Sequence, residues 1–390
     1  MRVLSGLIRD SNLFSDKEVF DFDNKFILPQ SLVDCMLKER RIEKTIYSGE
    51  EVLEAGVLEM KAANCLNGSH LTLDFKEKKV PIQPVDFYNI KEVTCFLANR
   101  AKCYIAEGKL LENLSSRNAD AYMTFWDEFT PVKLHGKTLV MAVEGSSVYT
   151  HWLNDTIAAI LMFSEIARDY KEYNHYIFST TQADFHRYAL ERLGIDGDKV
   201  KTLQKNGPLY EFDEVEIISP VRSGFVSSPI IYEKLCGFFG ERKEEIARKI
   251  YITRSDAKRR KILNEDEVLP YLKTEGFECI NLSSINIDQA ADFFSNATHI
   301  IAPHGAGLGN IAFCRPGTRI LELYSGHISK EYWTMSNVLG LDYSCMQVCY
   351  APGKTYMEED ERKLGFFERN ALDMYIEPGL FRKKVKEWLG

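Results

Sequence analysis

No apolar run in this 390-residue chain approaches the roughly 20 residues a bilayer-spanning helix requires; the longest near candidate, Ile157 to Phe163, is far too short. The opening stretch, MRVLSGLIRDSNLF, lacks the apolar core and small-residue cleavage site of a secretory signal. Cysteines number nine, an odd count with no CxxC pair, so neither a disulfide framework nor a zinc site is indicated and reduced thiols in a cytosol are expected. GxSxG and HExxH are missing as well, which removes the serine-hydrolase and zincin readings. Positive charge is not in excess: the formal net charge is −8, which excludes broad nucleic-acid binding while leaving room for a local basic patch around a compact anion.

What is present is a globular composition, 45% apolar and 27% charged, in a chain long enough for two or three domains. Residues 1–130 predict one helix, Ser31 to Glu43, and short strands at His70–Phe75, Glu92–Leu97 and Lys102–Glu107, a β-rich accessory region. The DxD pattern Asp21-Phe-Asp23 lies among polar residues and reads as a solvated loop rather than a metal site; Asp196-Gly-Asp198 reads as a turn.

From Thr138 the pattern alternates strand and helix: strand Thr138–Val143, helix His151–Arg168, strand His175–Ser179 and helix Ala183–Leu193 stopped by Gly194, then strands Val200–Leu203 and Val215–Ile218. Ser219 to Gly240, with its Pro, Gly and Ser residues, reads as an interdomain connection. The alternation then resumes with strand Lys249–Thr253 and a helix from Glu265. Asn264 and Glu267 form a capping-box pattern there, and Pro270 implies a kink. The expected fold class is α/β: two doubly wound Rossmann-like domains, 131–225 and 226–364, with the β-rich region before them and a final helix in 365–390.

The densest signal is NATHIIAPHGAGLGNIAFCRPGTRILELYS, Asn296 to Ser325. An apolar strand enters a glycine turn at Pro303-His304-Gly305-Ala306-Gly307, a short apolar helix follows, and a second apolar strand runs from Arg319 to Tyr324. Such a turn presents unpaired N–H groups and a helix N-terminus at the carboxyl edge of a sheet, where phosphate is well bound.

HGAGL at 304–308, PGTRILEL at 316–323 and YITRSDAKRRKILNEDEV at 251–268 together resemble glycosyltransferase family 61, as does the looser segment Tyr149-Thr-His-Trp-Leu-Asn-Asp155, where Thr150 departs from a family tyrosine. The resemblance implies a two-domain GT-B enzyme that moves a sugar from a nucleotide-sugar donor with inversion at the anomeric carbon. It further implies a terminal helix that crosses back to the first half.

On that basis Arg254, at a strand end, is expected to neutralise the donor diphosphate with Lys258 beside it, whereas Arg260 and Lys261 read as solvated loop. His304, Gly305, Ala306, Gly307 and Leu308 are expected to hold the donor. Glu322, a carboxylate on an apolar strand, either binds ribose hydroxyls or pairs with Arg319 or another basic residue. His151 and Asp155 share a helix face at i,i+4, and either is a candidate base for the acceptor hydroxyl; sequence does not choose between them. The expectation is therefore an inverting, metal-independent transferase using a UDP-sugar, with no other cofactor, and a saccharide or glycolipid acceptor. Membrane association is at most peripheral, and neither the oligomeric state nor the donor sugar can be read. Two rivals share the frame: a polysaccharide pyruvyl transferase and a nucleotide-sugar-binding subunit without turnover.

Overall fold

The computed structural model describes residues 44–46, 48–67, 75–97, 102–115, 130–163, 169–203, 209–240, 247–356 and 364–390. The helix expected at Ser31–Glu43, the Asp21-Phe-Asp23 pattern and all of the His70–Phe75 strand except Phe75 lie outside these residues. The fold is mixed α/β, with parallel strands in both principal sheets, and forms two compact units that interleave in sequence. Among the described residues, no helix is long and apolar enough to cross a membrane.

The first unit draws on residues up to Val52, Val85–Ser147 and Phe163–Ser219. It is built on a nine-stranded sheet. Val132–Met141 pairs in parallel with His175–Phe178 on one side and Leu209–Ile218 on the other, and His175–Phe178 pairs in parallel with Val200–Thr202. Beyond Leu209–Ile218 the sheet turns antiparallel through Val85–Leu97, Lys102–Ala106 and Lys109–Leu111. The β-rich stretch before residue 130 is thus divided: the strands within 85–111 are continuous, strand to strand, with the parallel half that follows, whereas Leu53–Pro84 belongs to the second unit. Val93, Cys95, Leu97, Tyr104, Val140, Ile177, Phe212 and Val215 fill one core cluster of this unit. The Asp196-Gly-Asp198 segment is a turn, in which the Asp196 carboxylate accepts from the Asp198 N–H at 3.0 Å.

The second unit comprises Leu53–Pro84, Val148–Met162 and Pro220–Gly390. Its six-stranded sheet runs in the order Phe277–Ile280, Arg248–Ile252, Ala297–Pro303, Arg319–Tyr324, Asp342–Gln347 and Asn64–Cys65, with every pairing parallel. Strands buried on both faces read as near-continuous apolar runs, as Ile300-Ile301-Ala302 and Ile320-Leu321 do. Counted from Arg248, the first five strands stand in the order 2-1-3-4-5, and chain direction across the sheet reverses between the first and the third.

Crossover helices of this sheet include Glu265–Thr274, Ile287–Ser295 and Glu331–Leu339. The second opens with a capping box, in which Asn286 and Gln289 exchange two 2.9 Å hydrogen bonds. The box expected at Asn264 does not form. Its amide is buried and bonds instead to the Ile376 backbone, accepting at 3.0 Å and donating at 2.8 Å, so a distant backbone segment outcompetes the local cap. Ser219–Gly240 is likewise more than a connection: after a small hairpin, Arg222–Ser223 with Val226–Ser227, helix Pro229–Phe239 starts on its proline and buries Ile231, Tyr232, Leu235 and Phe239. The last helix, Pro378–Leu389, packs Phe381, Val385 and Trp388 into this unit's own core, against Tyr251, Val268, Leu272 and Leu321, where the resemblance implied a crossing. Trp388→Ala there costs about 3–5 kcal/mol by loss of buried area.

Candidate active site

The carboxyl ends of three neighbouring strands carry Arg254, His304 and His327. The first two follow the strands that flank the reversal point, where doubly wound sheets open a crevice for ligands. After Pro303 the chain passes through Gly305, in extended conformation at φ 166°, into a 3₁₀ helix over Ala306–Phe313. Its first bond joins the Leu308 N–H to the Gly305 carbonyl at 3.0 Å, which leaves the Ala306 and Gly307 N–H groups without an intrahelical partner.

What glycine at 305 permits is a close approach rather than an unusual backbone angle. A Cβ there would stand 2.1 Å from Nη1 of Arg254, so the guanidinium lies directly against the turn. That guanidinium touches the Arg259 carbonyl at 3.3 Å, and its Nε is buried without a hydrogen-bond partner among the described residues. Burial lowers its pKa, and the smaller opposing effects of Tyr332 and Asp256 do not offset it. Arg260, in the left-handed region at φ 57°, is a second partly buried guanidinium, pushed down to about 10 by burial and then by Arg254. His327 is pushed down to about 4 by burial, with His304 and Arg260 adding to the shift.

His304 is buried, and its Nδ1 bonds to Oε1 of Glu322. The other oxygen of Glu322 accepts from the Tyr343 hydroxyl at 2.6 Å. Glu322 is 0% exposed, so both of its oxygens are committed inside the sheet. Arg319, the pairing partner considered from sequence, instead faces Asp342 at 3.4 Å. The His304 ring stands 5.7 Å from that of Tyr332 and 5.2 Å from that of His327.

The helix that carries the other candidates is not regular. Tyr149–His151 is α-helical, Trp152–Ile157 is π-helical and Ala158–Met162 is α-helical again. Such π segments frequently mark functional positions because they re-aim side chains within a helix. Here His151 Nδ1 meets Oδ2 of Asp155 at 2.7 Å. Arg222, from the small hairpin, grips the same carboxylate with two nitrogens, Nε on Oδ1 and Nη2 on Oδ2 at 3.0 Å. Its Nη1 and Nη2 both reach Glu331 Oε1 at 3.2 Å. Burial opposes the charge on Asp155, yet the Arg222 guanidinium and the His151 hydrogen bond hold its carboxyl below the usual range. The Asp155 bond raises His151 above an ordinary imidazole. The geometry suits Asp155 to orient the ring and the imidazole, 31% exposed, to take a proton through Nε2.

Thr150 joins the two halves of the site. Its hydroxyl donates to the Ala306 carbonyl at 2.9 Å and lies 3.1 Å from the Tyr332 hydroxyl. Gly309 is also fixed by close approach, since a Cβ there would meet Thr150 Oγ1 at 2.9 Å. Tyr149 donates to Asn310 at 2.6 Å, and Asn154 donates to the Gly309 carbonyl at 3.3 Å.

Arg254, His304, Gly305, Ala306, Gly307, His151 and Asp155 thus belong to one connected construction. Leu308 is buried and closes the turn, while Lys258 is exposed on the loop after Arg254. Arg222 and Glu331 were missed because a charge in a Pro/Gly/Ser-rich stretch, and another at a helix start, carry no sequence signal of a buried pairing. Arg260, taken for solvated loop in the run Lys258 to Lys261, is drawn in by its backbone turn.

Residues 149–321 match the family model described as Glycosyltransferase 61, a span that starts at Tyr149 and takes in Arg254 and the glycine turn. No curated protein matches the chain at a significant level. Among solved structures, the chain is similar to a dodecameric iron-containing heptosyltransferase, TibC, in complex with ADP-D-β-D-heptose. The identity is 9% and the TM-score 0.27, over 88% of this chain and 98% of that one, a likeness too slight to bear on the site.

Proposed function

We propose, from the premise that the chain is a glycosyltransferase carrying the family 61 segment 149–321, that it moves a sugar from a UDP-sugar to a hydroxyl of a saccharide or glycolipid, with inversion and without a metal. The setting we assign is assembly of a surface polysaccharide or glycoconjugate at the cytoplasmic side, with donor binding in the second unit and a GT-B arrangement overall. One observation carries the donor assignment: the guanidinium of Arg254, which makes no ion pair with a carboxylate among the described residues, lies against the glycine turn at the reversal point of a parallel sheet. As the glycosidic bond breaks, negative charge collects on the departing diphosphate. Arg254, with the Ala306 and Gly307 N–H groups, is placed to stabilise it.

His151, oriented through Nδ1 by Asp155, takes the acceptor proton on Nε2 while the acceptor oxygen attacks the anomeric carbon opposite the leaving group. Thr150 holds the base and the donor turn in fixed register. Glu322, with both oxygens engaged, is assigned to orient His304 rather than to contact ribose, and His304 presents its remaining nitrogen to the donor.

Thermal-shift and transfer assays with a panel of nucleotide sugars test the assignment. Stabilisation by UDP, and turnover that falls sharply in Arg254→Ala with its fold intact, support it. Stabilisation by phosphoenolpyruvate and not by UDP would transfer the protein to the pyruvyl-transferase reading, and binding without turnover to that of a non-catalytic subunit.

A further inference from the structure

The groups around His151 do not balance in charge. Asp155 comes from its own helix, Arg222 from the Arg222–Ser223 hairpin, and Glu331 from the start of helix Glu331–Leu339. Tyr332, next to Glu331, is reached through Thr150, and Tyr232 of helix Pro229–Phe239 faces Arg222; burial raises both phenols, which stay neutral. Among the described residues two carboxylates therefore share one guanidinium, and the Arg222 side chain is only 3% exposed, so water does little to screen the remainder. A buried set with one uncompensated negative charge is costly unless a cation completes it, and the imidazole 2.7 Å from Asp155 is the group placed to do so.

We propose that Glu331 is a positioning residue that acts on His151 through Arg222 and Asp155, so that the resting protein holds His151 as the imidazolium. Glu331 occupies Nη1 and a share of Nη2 of Arg222, which leaves more of the Asp155 charge available to His151 than a guanidinium serving Asp155 alone would. The direction of the His151 shift agrees: the Asp155 hydrogen bond raises it first, the Asp155 and Glu331 charges add to the rise, and burial and the Arg222 charge oppose it without reversing it. The proton must then leave to solvent before the imidazole can accept another from the acceptor, and this catalytic consequence rests on His151 being the base.

Glu331→Gln is the test, because the amide oxygen keeps an acceptor for Arg222 and removes only the charge. The acid limb of kcat/KM is expected to move to lower pH. At a pH on the wild-type limb, the rate relative to each protein's own plateau is expected to rise at least about threefold. Glu331→Asp restores the charge and is expected to stay near the wild-type limb. NMR titration of the His151 imidazole, assigned by its loss in His151→Ala, follows the same group without turnover. Movement of both the resonance and the limb supports the proposal. Movement of the resonance alone supports Glu331 as positioner and removes His151 as base. No movement of either overturns the proposal, as does a wild-type His151 that titrates below about 6.5.

Discussion

Gly305→Ala isolates the contact on which donor binding is proposed to depend. The position is extended, at φ 166°, so alanine introduces no backbone strain. The nearest atoms to the new methyl all belong to the end of one flexible side chain: Arg254 Nη1 at 2.1 Å, Cζ at 2.9 Å and Nη2 at 3.5 Å. The guanidinium must swing away, and the rest of the turn need not move. Stability is therefore expected to change by less than about 0.5 kcal/mol, as for substitutions that disturb no packed core. Loss of a hydrogen bond from Arg254 to a charged diphosphate is worth about 1.5–3 kcal/mol, which corresponds to a roughly 10- to 150-fold rise in the Kd of UDP. Calorimetric titration of UDP into wild type, Gly305→Ala, Arg254→Ala and the double variant completes a cycle. The two single changes should be strongly non-additive, because the methyl acts only through the arginine. An undiminished effect of Gly305→Ala in the Arg254→Ala background would refute this account of the turn, as would a Gly305→Ala protein that binds UDP normally.

Other expectations follow from the same contacts. His151→Ala should lower turnover by about 10²–10⁴-fold while UDP still binds, as expected for a general base, and single-turnover assays beside calorimetry separate the two effects. Because Asp155 raises the His151 pKa and the base acts when neutral, kcat/KM should climb with pH through that raised value; Asp155→Asn should move the climb to lower pH in a pH–rate profile. Arg222→Met leaves Asp155 and Glu331 buried and facing each other, so unfolding in urea should show a loss of about 3–5 kcal/mol. If backbone amides and guanidinium carry the leaving-group charge, turnover should be unchanged after exhaustive chelation of divalent cations; a chelator-sensitive rate restored by magnesium or manganese would contradict this.

Much of the second unit could be read from sequence because parallel strands with both faces covered are uninterrupted apolar runs. The runs at Lys249–Thr253, Thr298–Ala302 and Arg319–Tyr324 lie within a residue or two of the strands found. Glycines 305 and 307 and the histidine before them are adjacent in the chain, so the turn was visible as a unit. Arg254 was visible because it stands just past a strand end. What sequence could not show are pairings made in space. Val85–Leu97 lies antiparallel against Leu209–Ile218 across a long stretch of chain, and no local periodicity encodes that neighbour. Arg222 sits in a segment whose Pro, Gly and Ser content resembles a linker, and its two-nitrogen hold on Asp155, on which the proposed division between orienting carboxylate and base rests, has no trace in the sequence. The partly buried setting of Arg260, on a left-handed backbone turn, is concealed by a run of basic residues. Thr150, a departure from the resembling tyrosine, becomes intelligible once Gly309 is seen to press against it and its hydroxyl to reach Ala306.

The central claim is that the donor diphosphate rests on the turn after Pro303 with Arg254 beside it. A crystal structure of the protein with UDP examines this directly. Phosphate oxygens are expected within hydrogen-bond distance of the Ala306 and Gly307 N–H groups and of the Arg254 guanidinium. A well-ordered UDP whose phosphates lie away from that turn, with Arg254 uninvolved, would contradict it.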